Sequence, residues 1–169
     1  MAVRSSVFID SVAAGFVTGL RSQLIFAVMA RSARRGEFGA TCGPPIAWLR
    51  ISAVEKVITI SAANELVVDK LPMTPNRIDP APLAGRLILG TLAGSALAVA
   101  TGNRAAGGAL GGMMGAVAGS FAGYWARTRS VRATGLPDMV VALTEDAIAI
   151  GLARAIVQRA SRPDISHPE

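Results

Sequence analysis

The sequence has very few of the side chains on which most enzyme sites depend. Its 169 residues include one cysteine, Cys42, and one histidine, His167, which lies close to the C-terminus. A single cysteine excludes an intrachain disulfide. The shortage of both residue types leaves no basis for a zinc site, a Ser/His/Asp triad or a Cys/His pair. No spacing of carboxylates supports a metal site either, so we expect no metal and no cofactor, and the sequence does not favour an enzyme.

Lysine and aromatic residues are also scarce. There are only two lysines, Lys56 and Lys70, aromatic residues make up 5% of the chain, and no Walker A pattern occurs. The net charge is +6, but no basic helix face with interleaved aromatics is present, which argues against a nucleic-acid partner. The arginines instead follow apolar runs, as in Arg31, Arg34 and Arg35. Such positions are typical of loops that meet the anionic headgroups of a lipid bilayer.

Small and aliphatic residues dominate what remains. The chain is 51% hydrophobic, and its 18 glycines lie mostly inside apolar runs; the mean hydropathy is +0.47. Glycine weakens soluble helices but is tolerated in membrane helices, where small residues let backbones approach closely. Five segments approach the ~20 apolar residues that cross a bilayer. We therefore predict an all-α, polytopic transmembrane bundle of about five helices, forming one domain over residues 1–160 with a polar tail at 161–169. The predicted spans are 7–30, 46–68, 83–100, 105–125 and 139–157.

The connections between these spans predict part of the topology. "TGNR" at 101–104 is a tight turn, so the third and fourth helices should form an antiparallel hairpin. "RTRSVRATGLP" at 127–137 is predicted as a loop that ends where a helix can begin. With five spans, the basic residues divide seven against seven between the two sides. Arg31, Arg34 and Arg35 after the first span lean towards an external N-terminus.

The fourth predicted helix carries glycine at every fourth position: Gly107, Gly111, Gly115, Gly119 and Gly123. A step of four residues turns the helix by about 400°, so these glycines form one continuous groove. Close helix packing is one interpretation. A pore-lining or self-associating face is the other, and self-association would give a homo-oligomer.

The fifth predicted helix carries two acidic residues in its apolar run, Glu145 and Asp146. Asp146 shares a face with Ala142, Ala149 and Ala153, so it should point at a neighbouring helix rather than at lipid. An intramembrane carboxylate is usually paired or functional. A structural partner would be an arginine such as Arg21, deep in the first span, or Arg86. Alternatively, both acids lie at a wet membrane edge.

A polar segment, "VVDKLPMTPNRIDP" at 67–80, interrupts the apolar sequence. An acidic face of the second helix runs through Glu65 into Asp69 and Lys70. Three prolines then prevent regular helix, and irregular backbone within a membrane must be buried in protein or face water. Asn76 and Arg77 supply donors in this segment. We hypothesise that it folds inward so that Asp69, Lys70 and Arg77 join Asp146 in one polar cluster.

Three stretches resemble a known family. "NELVVDKLPMTPNRIDPAPLAGR", "GFVTGLRSQL" and "GLPDMVVALTEDAIAIGLA" are similar to the DUF4126 family of small bacterial membrane proteins, and the resemblance covers most of the chain. It implies an integral membrane protein. It implies no activity and supplies no catalytic residues.

Two functions agree with this sequence. The charged helix faces favour a small channel or transporter for an ion or small polar solute, in the inner membrane of a bacterium. The glycine groove favours a non-catalytic membrane component that packs, oligomerises or binds lipid headgroups. A water-accessible path towards Asp146 would favour the first function, and carboxylates sealed in salt bridges would favour the second.

Overall fold

A computed structural model of the chain describes residues 5–38, 43–68 and 78–161. These residues form only helices and connections, which confirms the all-α prediction. The described part contains seven helices: α1 (Ser5–Leu20), α2 (Leu24–Arg34), α3 (Ile46–Leu49), α4 (Ser52–Val68), α5 (Pro80–Ala100), α6 (Ala105–Thr134) and α7 (Asp138–Ser161).

The prediction of one continuous helix over residues 7–30 is wrong. The helix stops after Leu20, and a second one begins at Leu24. The Glu65 carboxylate accepts hydrogen bonds from the backbone N–H groups of Ser22 and Gln23, at 2.7 and 2.9 Å. These two donors lie just before α2, where backbone N–H groups have no partner within the helix. A carboxylate that satisfies both groups stabilises a break inside an otherwise apolar run.

Other helix bounds differ from the predicted spans at their ends. The second span contains two helices, because a turn at Arg50 separates α3 from α4. α6 continues through most of the predicted 127–137 loop and ends at Gly135, whose φ of 64° is left-handed. Arginine favours helix, and Arg127 makes a bidentate ion pair with Asp138 at the start of α7. The α6–α7 connection is therefore only three residues long, Gly135 to Pro137.

Ion pairs fix the relative directions of the helices. Arg21 of α1 pairs with Asp146 of α7, and Asp10 pairs with Arg159 at 3.5 Å, so α1 and α7 are antiparallel. Arg31 at the end of α2 and Arg35 just after it line a cleft that α7 lines with Arg154 and Gln158. The C-terminal end of α2 therefore lies beside the C-terminal end of α7. Because α1 runs antiparallel to α7, the chain reverses its direction at the 21–23 turn.

The reversal makes the longer helices alternate in direction. α4 runs back along α2, because Glu55 lies 3.7 Å from Arg34 while Glu65 reaches the 22–23 turn. α5 and α6 form the antiparallel hairpin that the 101–104 turn predicts. The start of α1, the end of α7 and the 101–104 turn consequently lie at one end of the bundle.

Two ridges of small residues on α6 make the closest contacts. The first ridge meets α1: an added Cβ on Gly115 would lie 1.9 Å from the Val12 carbonyl oxygen, and one on Gly119 would lie 2.1 Å from that of Phe16. The second ridge meets α5: a Cβ on Gly112 would lie 2.0 Å from the Gly90 carbonyl oxygen. Backbone therefore packs directly on backbone along both contacts, and no side chain fits between them.

Large apolar side chains lie mostly on the outside. More than half of the surface of each of Val57, Ile60, Ile88, Leu92 and Leu143 is exposed. The buried interior is instead rich in alanine and glycine. By length and composition, α5 and α6 are each able to cross a membrane.

Candidate functional site

A buried ion pair lies at the α1–α2 turn. The Arg21 guanidinium is fully buried, and Asp146 is 6% exposed. Arg21 Nε lies 2.6 Å from Asp146 Oδ1, and Nη2 lies 2.5 Å from the same oxygen. Removing an arginine and a carboxylate from water is costly unless they pair closely. The pair therefore connects the end of α1 to the middle of α7.

Glu145 gives Arg21 a second carboxylate within reach. Its Oε2 lies 3.9 Å from Arg21 Nη2, so one guanidinium faces two carboxylates at unequal distances. Neighbouring positions on α7 thus place two carboxylates near one buried arginine.

Glu65 connects α4 to this turn. Besides accepting from Ser22 and Gln23, its Oε1 lies 3.9 Å from Nη2 of Arg86 on α5. Arg86 is itself buried. We call Arg21, Glu65, Arg86, Glu145 and Asp146 the ionic cluster. It joins α1, α4, α5 and α7 at one level of the bundle.

The ionic cluster is level with the aromatic pair on α6. Tyr124 and Trp125 are in edge-to-face contact, with ring centroids 5.6 Å apart, and Arg129 stacks over the Trp125 ring at 5.8 Å. Phe16 of α1 packs on Gly119, so the end of α1 lies beside the next turn of α6, where this pair is found. Aromatic residues followed by arginine are typical of a membrane–water interface.

A polar cleft approaches the ionic cluster from the other end of the bundle. It lies between α2, α4 and α7 and has a volume of about 590 Å³. We call it the arginine cleft after Arg31, Arg35 and Arg154 in its wall. It extends inward to Leu24 and Ile150, each about one helical turn from Arg21 and Asp146. A second groove, apolar and about 410 Å³, lies between α6 and α7 and has Glu145 in its wall.

The structure brings together five of the residues predicted from the sequence, namely the ionic cluster. Asp69, Lys70, Asn76 and Arg77 lie outside the described residues, so their meeting with Asp146 stays a prediction. Of the predicted glycine groove, Gly111, Gly115 and Gly119 contact α1, Gly123 lies in the wall of the α6–α7 groove, and Gly107 is half-buried.

Sequence reasoning missed two features. The first is the turn at Arg21–Gln23, although three polar residues in a row within an apolar run signalled it. The second is the ridge of α6 that faces α5, which includes Gly108 and Gly112. The paired glycines in "GGALGG" signalled two adjacent ridges rather than one.

Replacing Glu65 should destabilise the protein more than replacing Glu55 on the same helix. Glu65→Ala removes two charge-assisted hydrogen bonds to backbone N–H groups, and we expect a loss of about 2–4 kcal/mol. Glu55 pairs with Arg34, whose side chain is 42% exposed, so Glu55→Ala should cost less than about 1 kcal/mol. Thermal unfolding in detergent measures both. Equal shifts would mean that Glu65 does not hold the turn.

No group of three His, Cys, Asp or Glu residues in the described part is placed to hold a metal ion. Comparison with family models, with curated proteins and with solved structures finds no match for this chain. The resemblance to DUF4126 therefore stays an expectation from the sequence.

Proposed function

We propose that this chain is a multi-pass inner-membrane protein that moves an ion or small polar solute past the ionic cluster. The membrane assignment rests on the length of α5 and α6 and on the large apolar side chains exposed around the bundle. So many large apolar side chains exposed on several helices are unusual on a soluble monomer. In the bilayer it would face lipid, and the small-residue contacts of α1, α5 and α6 would form the interior.

The reversal at the 21–23 turn changes the expected orientation. It places α1's start, α2's end and α7's end together. The arginines of the described residues at that end are Arg31, Arg34, Arg35, Arg50, Arg104, Arg154 and Arg159. Among the described residues, the opposite end carries the exposed or half-buried Arg127, Arg129 and Arg132, besides the buried Arg21 and Arg86. Cytoplasmic loops carry the excess of basic residues. We therefore propose that the N- and C-terminal end of the bundle is cytoplasmic, the reverse of the orientation that a five-helix count favours.

Reporter fusions in a bacterial host test this orientation. A green fluorescent protein fused after Ser161 should fluoresce, because it folds in the cytoplasm. Alkaline phosphatase fused after Gly135 should be active, because it needs the periplasm. A dark fusion after Ser161 together with an inactive phosphatase after Gly135, both expressed, would contradict the orientation.

The observation that carries the transport proposal is the arginine cleft. It leads from the proposed cytoplasmic end to within about one turn of Arg21 and Asp146, and its wall includes the polar side chains of Ser32, Thr59 and Gln158. Polar residues lining an intramembrane cavity are typical of a solute path. The ionic cluster then closes the path, and the choice of Arg21 between Asp146 and Glu145 gives the closed end two arrangements.

A second function is favoured by one specific observation. Arg21 is fully buried and Asp146 nearly so, as in a structural salt bridge that holds helices together. In that case the protein is a non-catalytic membrane component, and the cleft is only the entrance to a sealed bundle.

A flux measurement separates the two functions. Purified protein is placed in liposomes with valinomycin to carry potassium, and swelling in potassium chloride, phosphate or acetate is followed by light scattering. Transport predicts faster swelling than in protein-free liposomes for at least one salt, and a slower rate for Asp146→Asn than for the wild type. Rates equal to protein-free liposomes for all three salts would contradict transport of these anions and would favour the structural function.

A further inference from the structure

We infer that the arginine cleft is a binding site for a phosphate-bearing anion at the proposed cytoplasmic end. The inference deepens the transport proposal by naming a ligand class, but it concerns binding and holds whether or not the ligand crosses the membrane. The cleft's volume of about 590 Å³ lies within the range of small-molecule sites. It is therefore large enough for a small phosphorylated solute or for the headgroup of an anionic phospholipid.

The positions of the charged side chains in the arginine cleft favour an anion as its ligand. Arg31 lies in the last turn of α2, Arg35 directly follows that helix, and Arg154 lines the same cleft from α7. The carboxylates in the same wall, Glu37 and Glu55, lie 3.8 Å from Arg35 and 3.7 Å from Arg34. Among the described residues at this end, Arg34, Arg35 and Arg159 each have a carboxylate within 4 Å. Arg31 and Arg154 remain on opposite walls as two exposed cations facing one space.

Guanidinium groups suit phosphate better than other small anions. Each presents a planar fork of N–H donors that matches two phosphate oxygens. Two such forks on facing helices can bind a ligand with several phosphate oxygens from both sides. The hydroxyl groups of Ser32 and Thr59 and the amide of Gln158 supply neutral donors between them. A single carboxylate or chloride would satisfy fewer of these donors.

Some of these arginines also have a simpler role within their own helix. Arg31 and Arg34 lie in the last turn of α2, where cations are favoured by the helix dipole. That role does not extend to Arg154, which lies in the interior of α7, seven residues before its end at Ser161. A variant of Arg154 therefore tests the cleft and leaves the α2 terminus intact.

The test measures binding of pyrophosphate by titration calorimetry to the whole protein in phosphatidylcholine nanodiscs. We expect the Arg31→Gln/Arg154→Gln variant to bind about a hundredfold more weakly, about tenfold for each guanidinium group removed, and Arg154→Gln alone about tenfold more weakly. The matched control is Arg104→Gln, which removes one positive charge at the same end but outside the cleft. Because the three arginines are exposed, unfolding temperatures without ligand should be unchanged.

A second arm separates the two sources of phosphate. Native mass spectrometry counts phosphatidylglycerol retained by wild type and variants after extraction from mixed nanodiscs. Pyrophosphate binding that depends on Arg154 supports a site for a soluble ligand. Retention of phosphatidylglycerol that depends on Arg154, without pyrophosphate binding, supports a headgroup site. No binding in either arm, or equal weakening by Arg104→Gln, would overturn the inference. A failed flux assay with intact binding would overturn transport alone.

Discussion

Gly115→Leu is expected to be among the most damaging single substitutions in the chain. Even the first carbon of a new side chain would lie 1.9 Å from the Val12 carbonyl oxygen and 2.7 Å from the backbone nitrogen of Phe16. Both neighbours are helix backbone, so α1 and α6 must move apart. We expect a loss of about 3 kcal/mol or more, which corresponds to about 6–12 °C in thermal unfolding for a chain of this size.

Matched variants isolate the effect of the close approach between the backbones of α1 and α6. Gly115→Ala should also destabilise, whereas Gly151→Ala on α7 adds the same methyl group where nothing lies within 4 Å. Gly151→Ala should be neutral or stabilising, because alanine favours helix by about 1 kcal/mol over glycine. Leu110→Ala should change little, since Leu110 is 51% exposed. Equal unfolding temperatures for Gly115→Ala and Gly151→Ala would show that α1 and α6 are not in backbone contact.

The second large effect is expected at the buried ion pair. Arg21→Met leaves Asp146 buried without its closest cation, and Asp146→Leu leaves Arg21 without its closest carboxylate. We expect each to cost about 3–5 kcal/mol, while the double variant recovers most of the loss, because two apolar groups then replace two charges. Thermal unfolding of the four proteins gives the coupling energy directly.

The same four proteins connect stability with function. If the pair is only structural, the double variant should behave as wild type in every assay once it is folded. If solute passes by an exchange of Arg21 between Asp146 and Glu145, the double variant should fold but lose the salt-dependent swelling of liposomes. Single variants with no loss of stability would show that the pair is open to water.

The sequence predicted the helix content and the ion-pair partners better than it predicted where the chain reverses its direction. Arg21 was a candidate partner for Asp146 because both interrupt apolar runs, and the free-energy cost of a charge within the membrane makes such charges pair. The three polar residues at 21–23 mark an interruption of the apolar run, but the reversal itself depends on Glu65, more than forty positions away in the sequence. Helix breaks that depend on a distant carboxylate carry no proline or glycine as a marker.

The glycine pattern shows the same limit. A spacing of four predicted one groove on α6, and Gly111, Gly115 and Gly119 do contact α1. The spacing does not say how many neighbours a helix has, so the contact of Gly108 and Gly112 with α5 was not anticipated. The end of the bundle at which each arginine lies depends on the reversal of the chain at the 21–23 turn. A count over five helices lacks this reversal and therefore divides the basic residues equally between the two sides.

The proposed solute path requires a water-filled arginine cleft that opens to the cytoplasm and stops at the ionic cluster. Single cysteines at Val28, Thr59 and Gln158 in the wall of the cleft, each in a Cys42→Ser background, test this with a membrane-impermeant maleimide. Leu92, exposed on α5, serves as the lipid-facing control. We predict labelling of the three cleft positions in inside-out vesicles only, and no labelling of Leu92→Cys from either side. Cleft positions that stay unlabelled in both vesicle orientations, or that react equally in both, would contradict the account.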